Sequence, residues 1–146
     1  AAPLDLVILA LGTNDTFAEA GRKPQNTVNA MRSLITATRD LPTAPGSSVP
    51  NTSPPKVMIV SPPNCLPLPS VTGEGFPELD DLIRWLPELA KLYEELAIEQ
   101  DTYFADAAKF CEPDPVDGLH LDVENTRKLG IGIAETIALE GFADFC

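Results

Sequence analysis

Apolar residues recur along this chain in two alternating rhythms. Leu4-Asp5-Leu6-Val7-Ile8-Leu9-Ala10-Leu11 is almost continuously apolar, as expected for a strand covered on both faces in a parallel sheet. Gly12-Thr13-Asn14-Asp15 breaks the run, and from Asn26 to Asp40 the residues Val28, Met31, Leu34, Ile35 and Thr38 return at the spacing of one helix face. Lys56-Val57-Met58-Ile59-Val60-Ser61 reads as a second buried strand. Over residues 77–100, Leu79, Leu82, Ile83, Leu86, Leu89, Tyr93 and Leu96 form one apolar stripe of an amphipathic helix. Pro87 sits within it and is expected to kink the helix or restart it as a second one, because proline cannot donate to the helical ladder. Tyr103-Phe104-Ala105-Asp106-Ala107 is a weaker third strand. After the polar turn from Asp114 to Gly118, Asp122 is placed to cap a last helix whose Leu129, Ile133 and Ile137 face inward, with Gly130 and Gly132 permitting close approach.

Strand and helix thus alternate three times, which implies parallel strands, right-handed crossovers and a doubly wound α/β domain. Residues 1–146 read as a single domain. Three strands make a narrow sheet, and the first has a composition suited to a central position. Strands preceding residue 1 are therefore expected to be missing from this chain, or to come from another chain.

Composition narrows the partners. Ten of the fifteen prolines lie between Pro42 and Pro77, so the flanks of the second strand must be loops. With 44% hydrophobic and 22% charged residues and a mean hydropathy of +0.01, the chain lies far from the disordered and membrane extremes. Its longest uninterrupted apolar run, Leu6 to Leu11, falls well short of the roughly 18 residues of a bilayer span, so no membrane partner is expected. A net charge of −12 opposes binding to a phosphate backbone, so no nucleic acid is expected either. Cys65, Cys111 and Cys146 are too scattered for a disulfide scaffold and show no Cys-x-x-Cys spacing, which fits a reducing, cytoplasmic compartment. Trp85, Tyr93 and the leucine stripe read as core or subunit interface, and a homo-oligomer is compatible with them.

In open α/β sheets ligands bind outside the carboxyl ends of the strands, which directs attention to the segments after Leu11, Val60 and Ala107. After the first strand, Gly12 permits a tight turn and Asn14 can point an amide donor into a cleft. After the third, Asp117-Gly118-Leu119-His120 holds the only histidine of the chain. A carboxylate three residues before an imidazole can accept from Nδ1 and leave Nε2 free as a base. Each motif alone has an ordinary reading, Asn14-Asp15 as a turn or helix cap and Asp117-x-x-His120 as a surface turn. Their common placement at strand ends favours a site. Asp114, Asp117 and Asp122 do not have the spacing of a calcium loop, and no metal is expected.

The same residues carry a family resemblance. Leu11-Gly12-Thr13-Asn14-Asp15-Thr16 resembles the third block of the SGNH, or GDSL-type, serine hydrolases, and Val116-Asp117-Gly118-Leu119-His120 resembles their fifth. Lys56-Val57 followed by Val60-Ser61-Pro62-Pro63 is similar to the fourth strand and its exit loop in the arylesterase and acyltransferase branch. The resemblance implies a three-layer, flavodoxin-like α/β/α sheet and a serine esterase that uses an acyl-enzyme and no cofactor, acting on small esters. It implies Asn14 as an oxyanion-hole donor, His120 as general base and acid, and Asp117 as its orienting carboxylate, with Gly12 and Asp15 shaping the site. The Gly-Asp-Ser block with the nucleophile is absent: none of Ser33, Ser47, Ser48, Ser53, Ser61 and Ser70 stands in that context. The nucleophile is therefore expected outside this chain, which alone would be inactive. The alternative is a non-catalytic binding or interaction domain derived from the same fold.

Overall fold

The computed structural model describes residues 4–16, 23–40, 54–67 and 77–141. The apolar runs form three strands, β1 (Leu6–Ala10), β2 (Lys56–Ser61) and β3 (Tyr103–Asp106). Four helices accompany them: α1 (Thr13–Thr16), α2 (Pro24–Arg39), α3 (Pro77–Gln100) and α4 (Val123–Leu139), with a 3-10 turn at Ala107–Lys109. The sheet has the order β1-β2-β3 and both pairings are parallel; Val7 lies opposite Val57, and Ile59 opposite Phe104.

Alternation along β2 divides the core into two. Val57 and Ile59 face a layer made by Val28, Met31 and Ile35 of α2 and by Leu82, Leu86, Leu89, Tyr93 and Leu96 of α3. Met58 and Val60 face the opposite way, with Ala105, Ala107 and Cys111, and α4 covers them with Leu129, Ile133 and Ile137. Helices therefore cover both faces of the parallel sheet, and the fold is the doubly wound α/β/α type. The two layers are unequal. Leu82, Leu86, Leu89 and Tyr93 are fully buried, each leucine worth roughly 1.5–3 kcal/mol of apolar burial, whereas the inward residues of α4 are only partly covered.

Four sequence expectations are adjusted. Although β1 reads as a strand covered on both faces, it occupies the edge of the described sheet, and Ile8 is 41% exposed. Ala107 leaves the third strand for the 3-10 turn, because the Asp106 carboxylate accepts the Ala108 amide at 3.2 Å and starts that turn. Pro87 does not restart the helix: α3 is continuous from Pro77 to Gln100. Pro87 is exposed, so the lost ladder bond lies on the wet side, while buried Leu82, Leu86 and Leu89 hold both halves on one core. Only one of the paired glycines of α4 makes a close approach. A Cβ at Gly132 would come within 2.2 Å of the Phe110 ring, and one at Gly130 would meet nothing within 4 Å. Asp122 caps α4 as expected, accepting the Asn125 amide at 2.6 Å.

Candidate active site

At the carboxyl end of β1 the chain must turn within two residues, and Gly12 makes this possible with φ of +134°. The turn is tightly enclosed. A Cβ at Gly12 would lie 2.9 Å from Leu89 Cδ2, 3.1 Å from the Tyr93 hydroxyl and 3.2 Å from Pro62 Cγ. Tyr93 is fully buried and its hydroxyl donates to the Leu11 carbonyl at 3.3 Å, tying α3 to the end of β1. Burial, reinforced by the charge of Asp15, pushes the Tyr93 phenol well above its ordinary range, so it stays a donor at any physiological pH. The turn opens into α1, closed by Thr16 Oγ1 donating to the Thr13 carbonyl at 2.6 Å, and this single helical turn leaves Asn14 exposed.

The second arm is the loop that follows the 3-10 turn. Asp114 organises it: its carbonyl accepts the Gly118 amide at 2.8 Å, its carboxylate accepts the Val116 amide at 2.8 Å, and its own amide donates to the His120 carbonyl at 2.7 Å. Asp117 Oδ1 then accepts the amides of Leu119 and His120, both at 2.9 Å, which leaves Oδ2 for His120 Nδ1 at 2.7 Å. Those two amide bonds and the imidazole bond together hold the Asp117 carboxyl down at about 2. Asp117 is therefore ionised and can only accept, so the proton of the 2.7 Å contact belongs to Nδ1. In a ring that carries this single proton, Nε2 is the acceptor. The His120 ring is largely exposed.

The two arms meet. A cleft of about 450 Å³ is lined by Gly12, Thr13, Asn14 and Asp15 on one side and by Leu119, His120 and Leu121 on the other, with Pro63 between them. Asn14, His120, Gly12 and Asp15 thus share one cavity, and Asp117 stands behind His120 rather than on the cleft wall. The exit loop of β2 braces the floor through the Leu66 amide, which donates to the Gly118 carbonyl at 2.9 Å.

The remaining candidates are accounted for by local structure. Asp114 and Asp122 are consumed by the turn and the helix cap described above, and no group of three or more His, Cys, Asp or Glu among the described residues is arranged for a metal ion. Burial and the neighbouring charge of Asp117 raise the Cys65 thiol to about 11, so it is not a thiolate at neutral pH. Ser61 is buried and donates to Asp106 Oδ1 at 3.1 Å; Ser33 bonds to the Asn29 carbonyl on the exposed side of α2. No serine among the described residues lines the cleft. Ser47, Ser48, Ser53 and Ser70 lie outside the described residues. In sequence Tyr93 reads as core or subunit interface; its polar tip within a leucine stripe is the signal that it needs a partner.

The profile of the GDSL-like lipase/acylhydrolase family matches residues 1–125. Among solved structures, the native aryl esterase of M. smegmatis aligns at a TM-score of 0.78 and 35% identity, over 94% of this chain and 62% of that one. A carbohydrate acetylesterase from Sinorhizobium meliloti aligns at 0.80 and 35% identity, over 95% and 62%. The chain therefore spans about 62% of the length of these structures. No curated protein matches it closely enough to add a further comparison. No helix of the described residues is long and apolar enough to cross a membrane.

Proposed function

This chain belongs to the GDSL-like lipase/acylhydrolase family, also called SGNH hydrolases, and from that premise we propose that it carries the acid–base and oxyanion parts of a serine esterase or acyltransferase. In this reading residues 1–146 are one SGNH-hydrolase-like domain, incomplete on its amino-terminal side, and the nucleophilic serine is supplied from outside them. The exposed edge position of an apolar β1 and the absence of a serine from the cleft among the described residues support that reading.

The reaction is acyl transfer to and from the serine. His120 Nε2 takes the hydroxyl proton as the serine oxygen attacks the ester carbonyl, and Asp117 keeps the proton on Nδ1 and stabilises the imidazolium that forms. The Asn14 amide donates to the tetrahedral oxyanion. Collapse breaks the bond to the alkoxide, which leaves as the alcohol with the proton from Nε2. Water then attacks the acyl-enzyme, again deprotonated by His120, and the carboxylic acid departs as the serine recovers its proton. The sequence consumes no cofactor. The observation that carries it is the 2.7 Å Asp117–His120 contact beside a cleft that also holds Asn14.

A fluorophosphonate probe with intact-mass readout tests the assignment. The 146-residue chain alone should remain unlabelled and should not hydrolyse p-nitrophenyl acetate. Joined to the segment that supplies the serine, it should be labelled at that serine only and gain turnover, both lost in His120→Ala. Labelling of a residue within the 146 refutes an external nucleophile. A joined protein that binds ester without labelling or turnover selects the non-catalytic interaction domain instead.

A further inference from the structure

We propose that the groove around Trp85 is a binding site for a hydroxyl-rich ligand, a sugar ring or short oligosaccharide. The groove encloses about 390 Å³ and is formed where Lys23 and Gln25, at the start of α2, face Arg84, Trp85, Glu88 and Leu92 of α3. That volume lies in the range of small-molecule sites. Trp85 and Leu92 are half-buried and give it an apolar wall, while Lys23, Gln25, Arg84 and Glu88 rise exposed around them.

The mixture of side chains selects the ligand class. Lys23 and Arg84 only donate hydrogen bonds, Glu88 only accepts, and Gln25 does both. An anion calls for donors alone, a cation for acceptors beside the ring, and a hydrocarbon for neither. A pyranose has an apolar C–H face that covers an indole, and rim hydroxyls that each donate and accept. Arg84 and Glu88 stand one helical turn apart, yet among the described residues neither makes an ion pair, so their hydrogen-bonding capacity is available to a ligand.

Position links the groove to the cleft. Leu89 and Tyr93 of α3 lie beside Gly12 at the carboxyl end of β1, whereas the Ala97 carbonyl accepts the Thr102 amide next to the start of β3. Trp85 is four residues before Leu89, so it stands about 6 Å farther toward the end of the sheet on which the cleft opens. Arg32 of α2 pairs with Glu99 of α3 and Arg39 donates to the Gln100 carbonyl, so α2 runs alongside α3 and begins at that same end. Between groove and cleft, α1 packs on both helices while lining the cleft with Thr13, Asn14 and Asp15.

Trp85 is the single tryptophan of the 146 residues, so its emission reports the groove without any turnover. The purified chain is titrated with methyl β-D-xylopyranoside and xylotriose, with cyclohexanol and sodium sulfate as apolar and anionic controls. Saturable emission changes are expected for the glycosides, with millimolar Kd for the monosaccharide and tighter binding of the trisaccharide, and none for the controls. Arg84→Ala and Glu88→Ala, both exposed on α3, should each weaken binding about 10-fold with an unchanged far-UV circular dichroism spectrum. A response to sulfate or cyclohexanol in place of the glycosides, or no saturable response to either glycoside, overturns the proposal. Because the readout is binding, failure of the esterase assignment leaves this result intact, and failure here leaves that assignment intact.

Discussion

Gly12→Ala tests how firmly the cleft wall is held. The new methyl would enter a space where Leu89 Cδ2, the Tyr93 hydroxyl and Pro62 Cγ all stand within 3.2 Å, and the first of these is at 2.9 Å. The backbone would also keep an alanine at φ of +134°, a conformation that costs about 1–3 kcal/mol for a residue with a Cβ. Overpacking adds about 1–3 kcal/mol, since Leu89 and Tyr93 are fully buried and cannot move into solvent. The sum is about 2–6 kcal/mol. For a chain of 146 residues, at about 3–4 °C per kcal/mol, the melting temperature should fall by at least about 6 °C. Gly130→Ala is the internal control. It lies in α4 with nothing within 4 Å of its Cβ position, and an alanine there should stabilise by about 0.5–1 kcal/mol, raising the melting temperature by about 2–4 °C. Both are measured by thermal circular dichroism at one pH and one salt concentration. If Gly12→Ala melts within about 2 °C of the parent, the turn is not clamped by α3 and the account of how Asn14 is held collapses.

In the protein joined to its nucleophile, Asn14→Ala should lower kcat by about 100- to 1000-fold with little change in KM; equal effects on both parameters would show that Asn14 binds ground-state substrate. Asp117→Asn should lower kcat by as much as about 10,000-fold, and adding His120→Ala should cost little more, because the pair acts as one unit; multiplicative losses would dissolve the pair. The melting temperature of Asp117→Asn at neutral pH should fall by no more than the parent itself loses when Asp117 is protonated, since asparagine keeps an oxygen for the amides of Leu119 and His120 but not the charge. Acid should separate the same two proteins. The Asp117 carboxyl is lowered from its ordinary 3.8 to about 2, so its contribution to stability is present above pH 4 and disappears as pH falls toward 2. Urea midpoints should drop over that window more in the parent than in Asp117→Asn, and identical slopes would contradict the ionised-acceptor geometry.

Legibility in the sequence followed the range of the interactions. The bounds of β2 match the run read as Lys56–Ser61 because its centre, Val57–Val60, is buried on both faces and must be apolar. Asn14 and His120 could be placed at one end of the sheet from strand order alone. Their arrival in one cleft, and the brace from Leu66 to Gly118, depend on tertiary packing that no local pattern encodes. Tyr93 is separated from the carbonyl it holds by 82 residues and reads in sequence as one more core position. Pro87 shows the opposite case: its local effect is strong, yet the helix does not restart there, because the shared burial of Leu82, Leu86 and Leu89 on one core outweighs it.

That difference in range has a consequence for the site itself. The Asp117–His120 pair is built almost wholly from contacts two to six residues apart, within a loop knotted by Asp114, and needs little from the rest of the fold. Asn14 is held the other way, at the tip of one helical turn whose base is clamped by Tyr93, Leu89 and Pro62, all remote in sequence. Loosening of the α3 core therefore displaces the proposed oxyanion donor while the acid–base pair keeps its geometry. Leu89 and Tyr93 do not line the cleft themselves but hold Leu11 and Gly12, which do, so on the esterase reading their substitution is expected to act on transition-state charge before it acts on proton transfer. On the esterase reading, stability of this core layer and stabilisation of the oxyanion are therefore expected to fall together, because both pass through the Gly12 turn.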